Sequence, residues 1–276
     1  MGKIFKKKVI FDPLVSIYNT RVEDRQYFKK NSLRAKFYIL FDRLNVHLAE
    51  LVLLDTYEHF KYFQKMFGLS ERKTAIVRVG ADEEMLVPVK KHANQPTRAL
   101  FYGSYQPSQG ALRIIQSANL LKKEDIAWIF IGNGQQRALV ENYAKIKHLK
   151  KTTFLETMPF QELVKYIINA DIIFGVFGNT IKSKMVIHNK IYQGTALGKV
   201  VITQDTKAVR EIFTDKKNII LTQPNKKSIS EGIIKLLNNK KEIQRIGRGA
   251  RQLFLKQLTS KQITDELVAK FKKLML

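Results

Sequence analysis

Two lysines separated by one residue follow an apolar run and are the most informative candidates for chemistry. The run Ile172–Val176 is typical of a buried strand, and Lys182 and Lys184 stand in the loop after it. Each lysine carries a compact positive charge that suits a phosphate or diphosphate group. We therefore expect the loop Phe177–Lys184 to hold a phosphorylated ligand; the alternative is a charged pair on a solvated surface.

Two glycine-containing loops are weaker candidates for the same chemistry. Gly132 and Gly134 stand between a predicted strand and a predicted helix, where the helix N-terminus favours an anion. Arg137 occupies the place of the third glycine of a dinucleotide fingerprint, so an ordinary tight turn is the stronger interpretation. The loop Gly103–Gly110 could bind phosphate oxygens through its backbone amides and Ser104, and an ordinary loop is equally compatible.

A third segment has polar side chains at the start of a predicted helix. Asn189 and Lys190 open this helix, Gln193 follows one turn later, and Gly198 closes it. Its N-terminus would point at the same cleft as the lysine loop. Gln193 could accept or donate a hydrogen bond to a ribose hydroxyl, or it could be a surface amide.

Short apolar strands that alternate with helices must position these loops. Beyond residue 97 the pattern is typical of a parallel sheet covered by helices on both faces, and ligands of such sheets bind at the carboxyl ends of the strands. Before residue 88 we predict strands at 9–11, 51–54 and 74–79 and helices at 14–48 and 57–67. The polar, proline-flanked segment between the two regions is the predicted linker.

Charge and composition narrow the class of protein. The 276 residues include 49 Lys and Arg against 24 Asp and Glu, a net charge of +25. Such a surface attracts nucleic acid, anionic lipid or phosphorylated substrates, but the basic residues are spread along the chain, which disfavours a specific nucleic-acid groove. The absence of cysteine excludes disulfides and thiolate chemistry. No apolar run reaches the roughly 18 residues that a membrane-spanning helix needs.

The stretch Asp171–Glu211 resembles the donor-binding half of the family-4 (group 1) retaining glycosyltransferases, which have the GT-B fold. Weaker similarities to that family occur in order through most of the chain. The matching positions are Lys182, Asn189, Lys190, Tyr192, Gln193, Gly198, Lys199, Val200, Val201, Asp205 and Thr206, preceded by Phe11, Asp12, Pro13, Ser16, Asp24, Arg25, Leu54, Asp55, Thr56, Val79, Gly80, Ala81, Asp82, Phe101, Tyr102 and Gly103.

The resemblance implies an α/β fold of GT-B type. One complete Rossmann-like C-terminal domain with a parallel sheet would occupy residues 98–255 and bind the nucleotide sugar. Residues 1–88 would form a truncated Rossmann-like portion on the acceptor side, joined by a linker at 89–97. Residues 256–276 would form a C-terminal helix that packs back toward the N-terminal portion.

The resemblance also implies a nucleotide-sugar site. Lys182 would stabilise the leaving diphosphate, which is where negative charge develops in glycosyl transfer. Gln193 stands where the family has the ribose-binding carboxylate of its E-x7-E motif, and the loop Glu156–Pro159 would border the base. With a lysine in this role no metal or other cofactor is expected. The residues assigned to donor binding are Gly103, Ser104, Tyr105, Gly132, Gly134, Thr157, Met158, Lys182, Lys184, Asn189, Lys190 and Gln193.

Three positions depart from the family pattern. Ser104 and Gln109 replace an arginine–lysine pair, which puts more weight on Lys182 and Lys184 as phosphate cations. Met185 replaces the first glutamate of E-x7-E, and His188 stands where proline is common. No residue is a convincing general base; Asp12, Asp24 and His47 are candidates, each with a structural role as the alternative.

The predicted function is therefore transfer of a sugar from a UDP- or GDP-sugar to a glycan or lipid-linked acceptor, with retention, in polysaccharide biosynthesis. The alternatives are a non-catalytic nucleotide-sugar-binding subunit or remnant, and a general polyanion-binding protein. Residues 1–88 supply only about two strands, so we expect a second chain or an upstream segment to complete the N-terminal sheet. The absence of cysteine fits a cytoplasmic protein. The basic surface suits a peripheral position at an anionic inner membrane face.

Overall fold

The computed structural model of the protein describes residues 7–84 and 96–275, and these residues form two parallel β-sheets with flanking helices. The predicted linker lies outside the described residues except for its last two positions. The small N-terminal sheet contains β1 (Ile10–Phe11), β2 (Leu51–Leu54) and β3 (Thr74–Ile76). The large sheet contains β4 (Thr97–Tyr102), β5 (Ile126–Ile131), β6 (Thr152–Leu155), β7 (Ile172–Phe174), β8 (Val200–Gln204) and β9 (Ile220–Thr222).

Eleven α-helices and three shorter or irregular turns of helix connect these strands within the described ranges. A π-helix spans Asn19–Asp24, and 3-10 turns span Glu71–Lys73 and Pro107–Gln109. The α-helices are α1 (Leu33–Leu48), α2 (Tyr57–Phe67), α3 (Ala111–Leu120), α4 (Arg137–Ile146), α5 (Phe160–Asn169), α6 (Ile181–Met185), α7 (Asn189–Ala196), α8 (Lys207–Arg210), α9 (Lys226–Leu237), α10 (Lys240–Gln257) and α11 (Ser260–Met275).

The large sheet has the strand order β6-β5-β4-β7-β8-β9, with every neighbouring pair parallel. The order reverses at β4, and the adjacent strands β4 and β7 begin the two halves. Apolar clusters cover both faces of this sheet; one contains Phe101, Phe130 and Phe174, and the other contains Ile173, Ile191 and Val201. The α/β class with a parallel sheet covered on two faces is confirmed.

The N-terminal sheet has the order β1-β2-β3 and is also parallel. The three strands predicted in this portion all form and pair with one another, so the estimate of about two strands for its sheet was too low. The predicted helix at 57–67 is confirmed: Thr56 accepts a hydrogen bond from the His59 amide at its start, and Gly68 ends it in the left-handed conformation. Helix α2 buries Phe60, Phe63 and Phe67 beneath this sheet.

The segment 14–48 is mostly helical, as predicted, but it is divided: a π-helix forms first, and α1 begins only at Leu33. Ser32 caps α1 by accepting a hydrogen bond from the Ala35 amide. One face of α1 is exposed although it is apolar, and Phe37 is 61% exposed. The exposed large apolar residues of α1 are Leu33, Phe37, Leu40, Phe41, Leu44 and Leu48.

In the C-terminal half the order of predicted elements is confirmed, with one omission. The predicted loop Phe177–Lys184 contains the start of α6, whose N-cap Thr180 accepts a hydrogen bond from the Ser183 amide. The strand predicted at 172–176 ends at Phe174, although the Gly175 amide still donates a hydrogen bond of 2.8 Å to the Ile202 carbonyl of β8.

The last helix returns to the N-terminal portion. Ser260 of α11 donates two hydrogen bonds to Glu83, from its amide at 3.1 Å and from its hydroxyl at 2.9 Å. The Lys270 ammonium donates to the carbonyl of Ile76 in β3. Within the described residues, no helix combines the length and apolar character required to cross a bilayer.

Candidate nucleotide-sugar site

A cavity of about 710 Å³ lies between the two sheets, where the carboxyl ends of their strands face each other. The N-terminal portion lines it with residues that follow β1, β2 and β3, namely Asp12, Asp55 and Arg78. The large domain lines it with Gly103 after β4 and with the segment that runs from α6 into α7. This is the position at which parallel α/β sheets bind ligands.

Lys182 projects into this cavity from α6. Its side chain is 18% exposed, and its ammonium nitrogen lies 3.6 Å from Oδ2 of Asp24, which belongs to the π-helix of the N-terminal portion. Burial lowers the pKa of Lys182, Asp24 raises it, and the nearby Arg25 charge lowers it. A lysine that is partly desolvated at a cavity wall interacts strongly with an incoming anion.

Lys190, in the first turn of α7, is a second cation at the cavity wall. It is buried, and its ammonium group lies 4.3 Å from the centroid of the Phe101 ring and 5.7 Å from that of Tyr102. The ammonium donates a hydrogen bond of 3.1 Å to Oε1 of Gln109. Burial lowers the pKa of Lys190 to about 7. The group is therefore poised between its charged and neutral forms near neutral pH.

Gln193 lies one turn further along α7 and also lines the cavity. Its side-chain oxygen accepts a hydrogen bond of 2.7 Å from the hydroxyl of Tyr102, at the end of β4. This bond occupies the oxygen and fixes the orientation of the amide, which leaves the amide nitrogen to donate. Asn189, next to Lys190, is exposed and lines the same cavity.

The first two loops of the large domain pack so closely that glycine is required. A Cβ on Gly132 would lie 2.1 Å from the carbonyl oxygen of Gly103, and one on Gly134 would lie 1.7 Å from that of Ser104. Both glycines have positive φ, 120° and 145°. Gly103 lines the cavity, whereas Gly132 and Gly134 do not contact it and instead support the loop that does.

Several predicted donor-site residues lie away from the cavity. Tyr105 is fully buried against Phe101, with ring centroids 5.1 Å apart, so it is a core residue. Lys184, two residues after Lys182, is exposed on the outside of α6, and Thr157 is exposed beyond β6. Met158 is half-buried against the core of the large domain. The sequence did not predict helix α6. Residues two apart on a helix point in different directions, so this helix places Lys182 at the cavity and Lys184 on the outer surface.

Ser104 and Gln109 bond to each other at the positions where the resemblance implies two phosphate cations. The Gln109 amide nitrogen donates to Oγ of Ser104 at 3.1 Å, and the Gln109 oxygen accepts from Lys190. Lys190 thereby brings a positive charge to the neighbourhood that the replacements leave neutral. Gln109 was not predicted as a site residue, because its hydrogen bond to Lys190 joins positions 81 residues apart and only the fold brings them together.

Three further cavity residues were not assigned to the site from the sequence. The Asp55 carboxylate joins the two halves, because it accepts a hydrogen bond of 3.3 Å from the Ile187 amide and lies 2.7 Å from Nδ1 of His59. His188 lines the cavity, and burial together with the Lys190 and Lys182 charges lowers its pKa to about 3. His188 is therefore neutral at physiological pH. Arg78, after β3, donates to Gln257 at 3.1 Å.

Other contacts fasten the two halves together around the cavity. Glu211, just after α8, accepts hydrogen bonds from the Tyr57 and Glu58 amides at 2.8 and 3.0 Å, so a residue of the large domain caps helix α2. Met185 is buried in the apolar cluster of the N-terminal portion. The methionine at the predicted glutamate position therefore packs at the junction.

The candidate general bases differ in position. Asp12 lines the cavity, whereas Asp24 is fully buried beside it and His47 is exposed near the end of α1. Across the described part of the chain, no three His, Asp or Glu side chains are grouped so that they could hold a metal ion.

The chain belongs to the family of glycosyl transferases group 1, whose model matches residues 82–253. This segment includes every residue of the large domain that lines the cavity. The predicted group 1 glycosyltransferase family is confirmed, and the protein is therefore a member of a transferase family. The comparison with curated proteins gave no significant match.

Solved glycosyltransferase structures share the fold. A sucrose-phosphate synthase from Thermosynechococcus elongatus superposes with a TM-score of 0.78 at 13% identity, over 99% of this chain and 70% of the other. Anabaena Alr3699/HepE, solved in complex with UDP and glucose, gives 0.76 at 14% identity over 98% and 73%. The C-terminal domain of a group 1 glycosyl transferase, LpcC from Francisella tularensis, gives 0.56 at 18% identity over 66% and 100%. The predicted GT-B-like fold is confirmed.

Proposed function

We propose that the protein transfers a sugar from a UDP- or GDP-sugar to a glycan or lipid-linked acceptor, with the donor held in the cavity between the two sheets. The observation that carries the proposal is the convergence of Lys182 and Lys190 on this cavity in a member of a glycosyl transferase family. The solved complex of HepE with UDP and glucose supports a nucleotide sugar as the donor class. Retention of the anomeric configuration is part of the proposal and rests on the family resemblance.

In this proposal the two lysines stabilise the diphosphate as it leaves. Negative charge develops on the bridging oxygen when the glycosidic bond to phosphate breaks, and a preorganised cation at that place lowers the barrier. Lys182 and Lys190 share this role, which takes the place of a metal ion. Gln193 offers its amide nitrogen to the ribose, since Tyr102 already occupies its oxygen. The Gly103 backbone forms the floor beneath the phosphates, supported by Gly132 and Gly134.

The acceptor lies on the opposite wall in this proposal. Asp12, Asp55 and Arg78 face the donor wall across the cavity and give it a mixed polar character. Asp55 already bonds to His59 and Ile187. Asp12 is the carboxylate of this wall with the greater freedom to approach an acceptor hydroxyl.

A non-catalytic nucleotide-sugar-binding subunit is the second candidate. The hydrogen bond between Ser104 and Gln109 favours this second candidate, because two uncharged residues stand where the family resemblance implies two phosphate-binding cations. The two candidate functions differ in whether the protein consumes its nucleotide-sugar donor. A transferase hydrolyses or transfers the sugar of its donor, whereas a binding subunit retains the donor intact.

The proposal is tested first by thermal-shift titrations with UDP, GDP and ATP at low and high salt. Stabilisation by one nucleoside diphosphate that persists at high salt supports the donor site and identifies the base. Equal shifts by all three that vanish with salt contradict it, since nonspecific polyanion binding weakens steeply with ionic strength.

A second polypeptide that continues the small sheet is part of the same proposal. The support comes from two adjacent features of the described residues: β1, a strand of two residues, stands at an edge of its sheet, and α1 exposes an apolar face. An open parallel edge and a large apolar face favour association with another chain. The basic residues Lys29, Lys30, Arg34 and Lys36 surround this face, and an anionic membrane surface is the competing occupant.

The proposal of a second polypeptide is tested by measuring whether the exposed apolar face of α1 binds a polypeptide or an anionic membrane surface. Phe37→Ser with Leu44→Ser is the variant, and Leu139→Ser on α4 is the control at an exposed apolar position far from the face. Loss of association with a co-expressed polypeptide in the variant alone supports the proposal. Loss of binding to vesicles with anionic lipid, with no polypeptide bound, contradicts it.

A further inference from the structure

A buried carboxylate of the N-terminal portion reaches the lysine of the large domain. Asp24 is fully buried, and its Oδ1 accepts a hydrogen bond of 3.1 Å from the Ser108 amide. Its Oδ2 accepts a hydrogen bond of 3.1 Å from the Ser108 hydroxyl and lies 3.6 Å from the ammonium nitrogen of Lys182. The carboxylate thus has two hydrogen-bond donors, both on Ser108, and one ion-pair partner, Lys182, and both residues belong to the large domain.

The local backbone holds Asp24 in this position. Asp24 ends the π-helix, a widened turn in which the Arg25 amide donates to the carbonyl of Thr20 at 3.0 Å. Glu23, the preceding residue, accepts hydrogen bonds from Tyr62 at 2.8 Å and from Asn19 at 2.7 Å. The turn is therefore anchored to helix α2 on one side and to the loop before α3 on the other.

The distances show that Asp24 contacts Ser108 more strongly than it contacts Lys182. The bonds to Ser108 have ordinary hydrogen-bond length, whereas 3.6 Å to Lys182 is an ion pair without a close hydrogen bond. Lys182 is therefore attracted by Asp24 and still free to turn its ammonium group toward the cavity. A buried lysine without an opposite charge loses its proton readily.

Other charged groups around Lys182 oppose or share this attraction. Arg25 follows Asp24 and carries a positive charge, and Lys190 and the neutral His188 flank Lys182 from the segment that enters α7. Across the cavity stand the charged groups Asp12, Asp55 and Arg78. Asp24 is the carboxylate with an ion-pair contact to Lys182 among the described residues.

We propose that Asp24 is a positioning residue for glycosyl transfer, which keeps Lys182 protonated and directed at the cavity until the diphosphate of the donor arrives. This inference rests on the proposed function in that the diphosphate is the ligand that Lys182 then binds. It also gives the N-terminal portion a role at the donor site, because that portion supplies the counter-ion of a lysine in the large domain.

The test measures the protonation of Lys182 directly, without any nucleotide. The full chain is labelled with trace acetic anhydride over a pH series, and acetylation of Lys182 and of Lys184 is quantified by mass spectrometry. The exposed Lys184 is an internal reference two residues away. We expect Asp24→Asn to lower the pH midpoint of Lys182 labelling by about 1 unit or more and to leave that of Lys184 unchanged.

Two control variants separate charge from structure. Ser108→Ala removes a hydrogen bond of Asp24 and keeps its charge, so it should leave the Lys182 midpoint in place. Asp24→Glu keeps the charge and should keep most of the wild-type midpoint. If Asp24→Asn does not fold, Asp24→Ser supplies the neutral variant. An unchanged Lys182 midpoint in the neutral variant, or an equal shift in Ser108→Ala, overturns the inference.

The same proteins then connect Asp24 to the donor. Affinity for the stabilising nucleoside diphosphate should fall more between pH 6.5 and 8.5 in Asp24→Asn than in the wild type, since a larger share of Lys182 is neutral at the higher pH. If no diphosphate binds the wild type, the proposed function fails while the labelling result still decides the role of Asp24. If the wild type binds and both proteins have the same pH profile, the inference fails alone.

Discussion

The two sheets of this protein bury their surfaces to very different extents. The six-stranded sheet has apolar clusters on both faces, and helices cover both. The three-stranded sheet has a two-residue edge strand, and helix α1 beside it exposes Leu33, Phe37 and Leu44. The smaller portion nevertheless supplies Asp24, which pairs with Lys182, and Asp55, which lines the cavity and accepts a hydrogen bond from Ile187. The less buried portion therefore contributes side chains to contacts with the large domain.

The largest difference between the two portions should appear when they are separated. We expect a polypeptide of residues 96–259 to unfold cooperatively and one of residues 7–84 not to fold, because the apolar cluster of the smaller portion includes Met185 and Val186 of the large domain. Circular dichroism and thermal denaturation of both fragments measure this. Cooperative unfolding of 7–84 alone would show that its own core is sufficient.

A pair of glycine substitutions should give the next largest effect. Gly134→Ala places a Cβ against the Ser104 carbonyl and should lower the free energy of unfolding by about 3 kcal/mol or more. Gly68→Ala in the smaller portion meets nothing within 4 Å, so it should cost only the roughly 1–2 kcal/mol of a left-handed backbone. Chemical denaturation of both variants makes the comparison, and equal losses would mean that the loops of the large domain adapt.

The smallest predicted effect is a gain in folding stability instead of a loss. Lys190→Met removes a buried cation and should raise the melting temperature by roughly 2–8 °C near pH 6, for a gain of about 1–2 kcal/mol. Because the pKa of Lys190 is about 7 when folded and 10.5 when unfolded, wild-type stability rises with pH between these values. The advantage of the variant should therefore shrink from pH 7 toward pH 10. A variant that is less stable at pH 6 would show that the Phe101 and Gln109 contacts outweigh the burial cost.

The sequence predicted the strands and helices of the large domain well because each strand is a short apolar run bounded by turn residues. It predicted α2 exactly, since Thr56 and Gly68 are strong signals for the ends of a helix. It did not predict the π-helix, because the start of this widened turn is held in part by Asp42, which accepts a hydrogen bond from the Tyr18 amide 24 residues away in the sequence. It also missed α6, which has only five residues.

The candidate site was predicted only in part. Local sequence signals identified several of its residues, whereas contacts between residues far apart in the sequence could not be predicted. Gly103, Lys182, Asn189, Lys190 and Gln193 line the cavity, as a position at the carboxyl end of a strand or the start of a helix suggests. Tyr105 and Lys184 do not, because backbone turns direct the first into the core and the second to the surface. The contacts of Asp24 with Ser108 and Lys182 span 84 and 158 residues, and only the fold brings them together.

The most direct test of the account is a calorimetric titration of the stabilising nucleoside diphosphate into the wild type, Lys182→Ala and Lys184→Ala. The two lysines are neighbours in the sequence, yet one lines the cavity and the other is exposed. The account predicts that Lys182→Ala weakens binding by about 10-fold or more, as expected for loss of a charged hydrogen bond, and that Lys184→Ala has little effect. Equal losses in the two variants, or none in Lys182→Ala, would contradict the claim that this cavity binds the donor diphosphate.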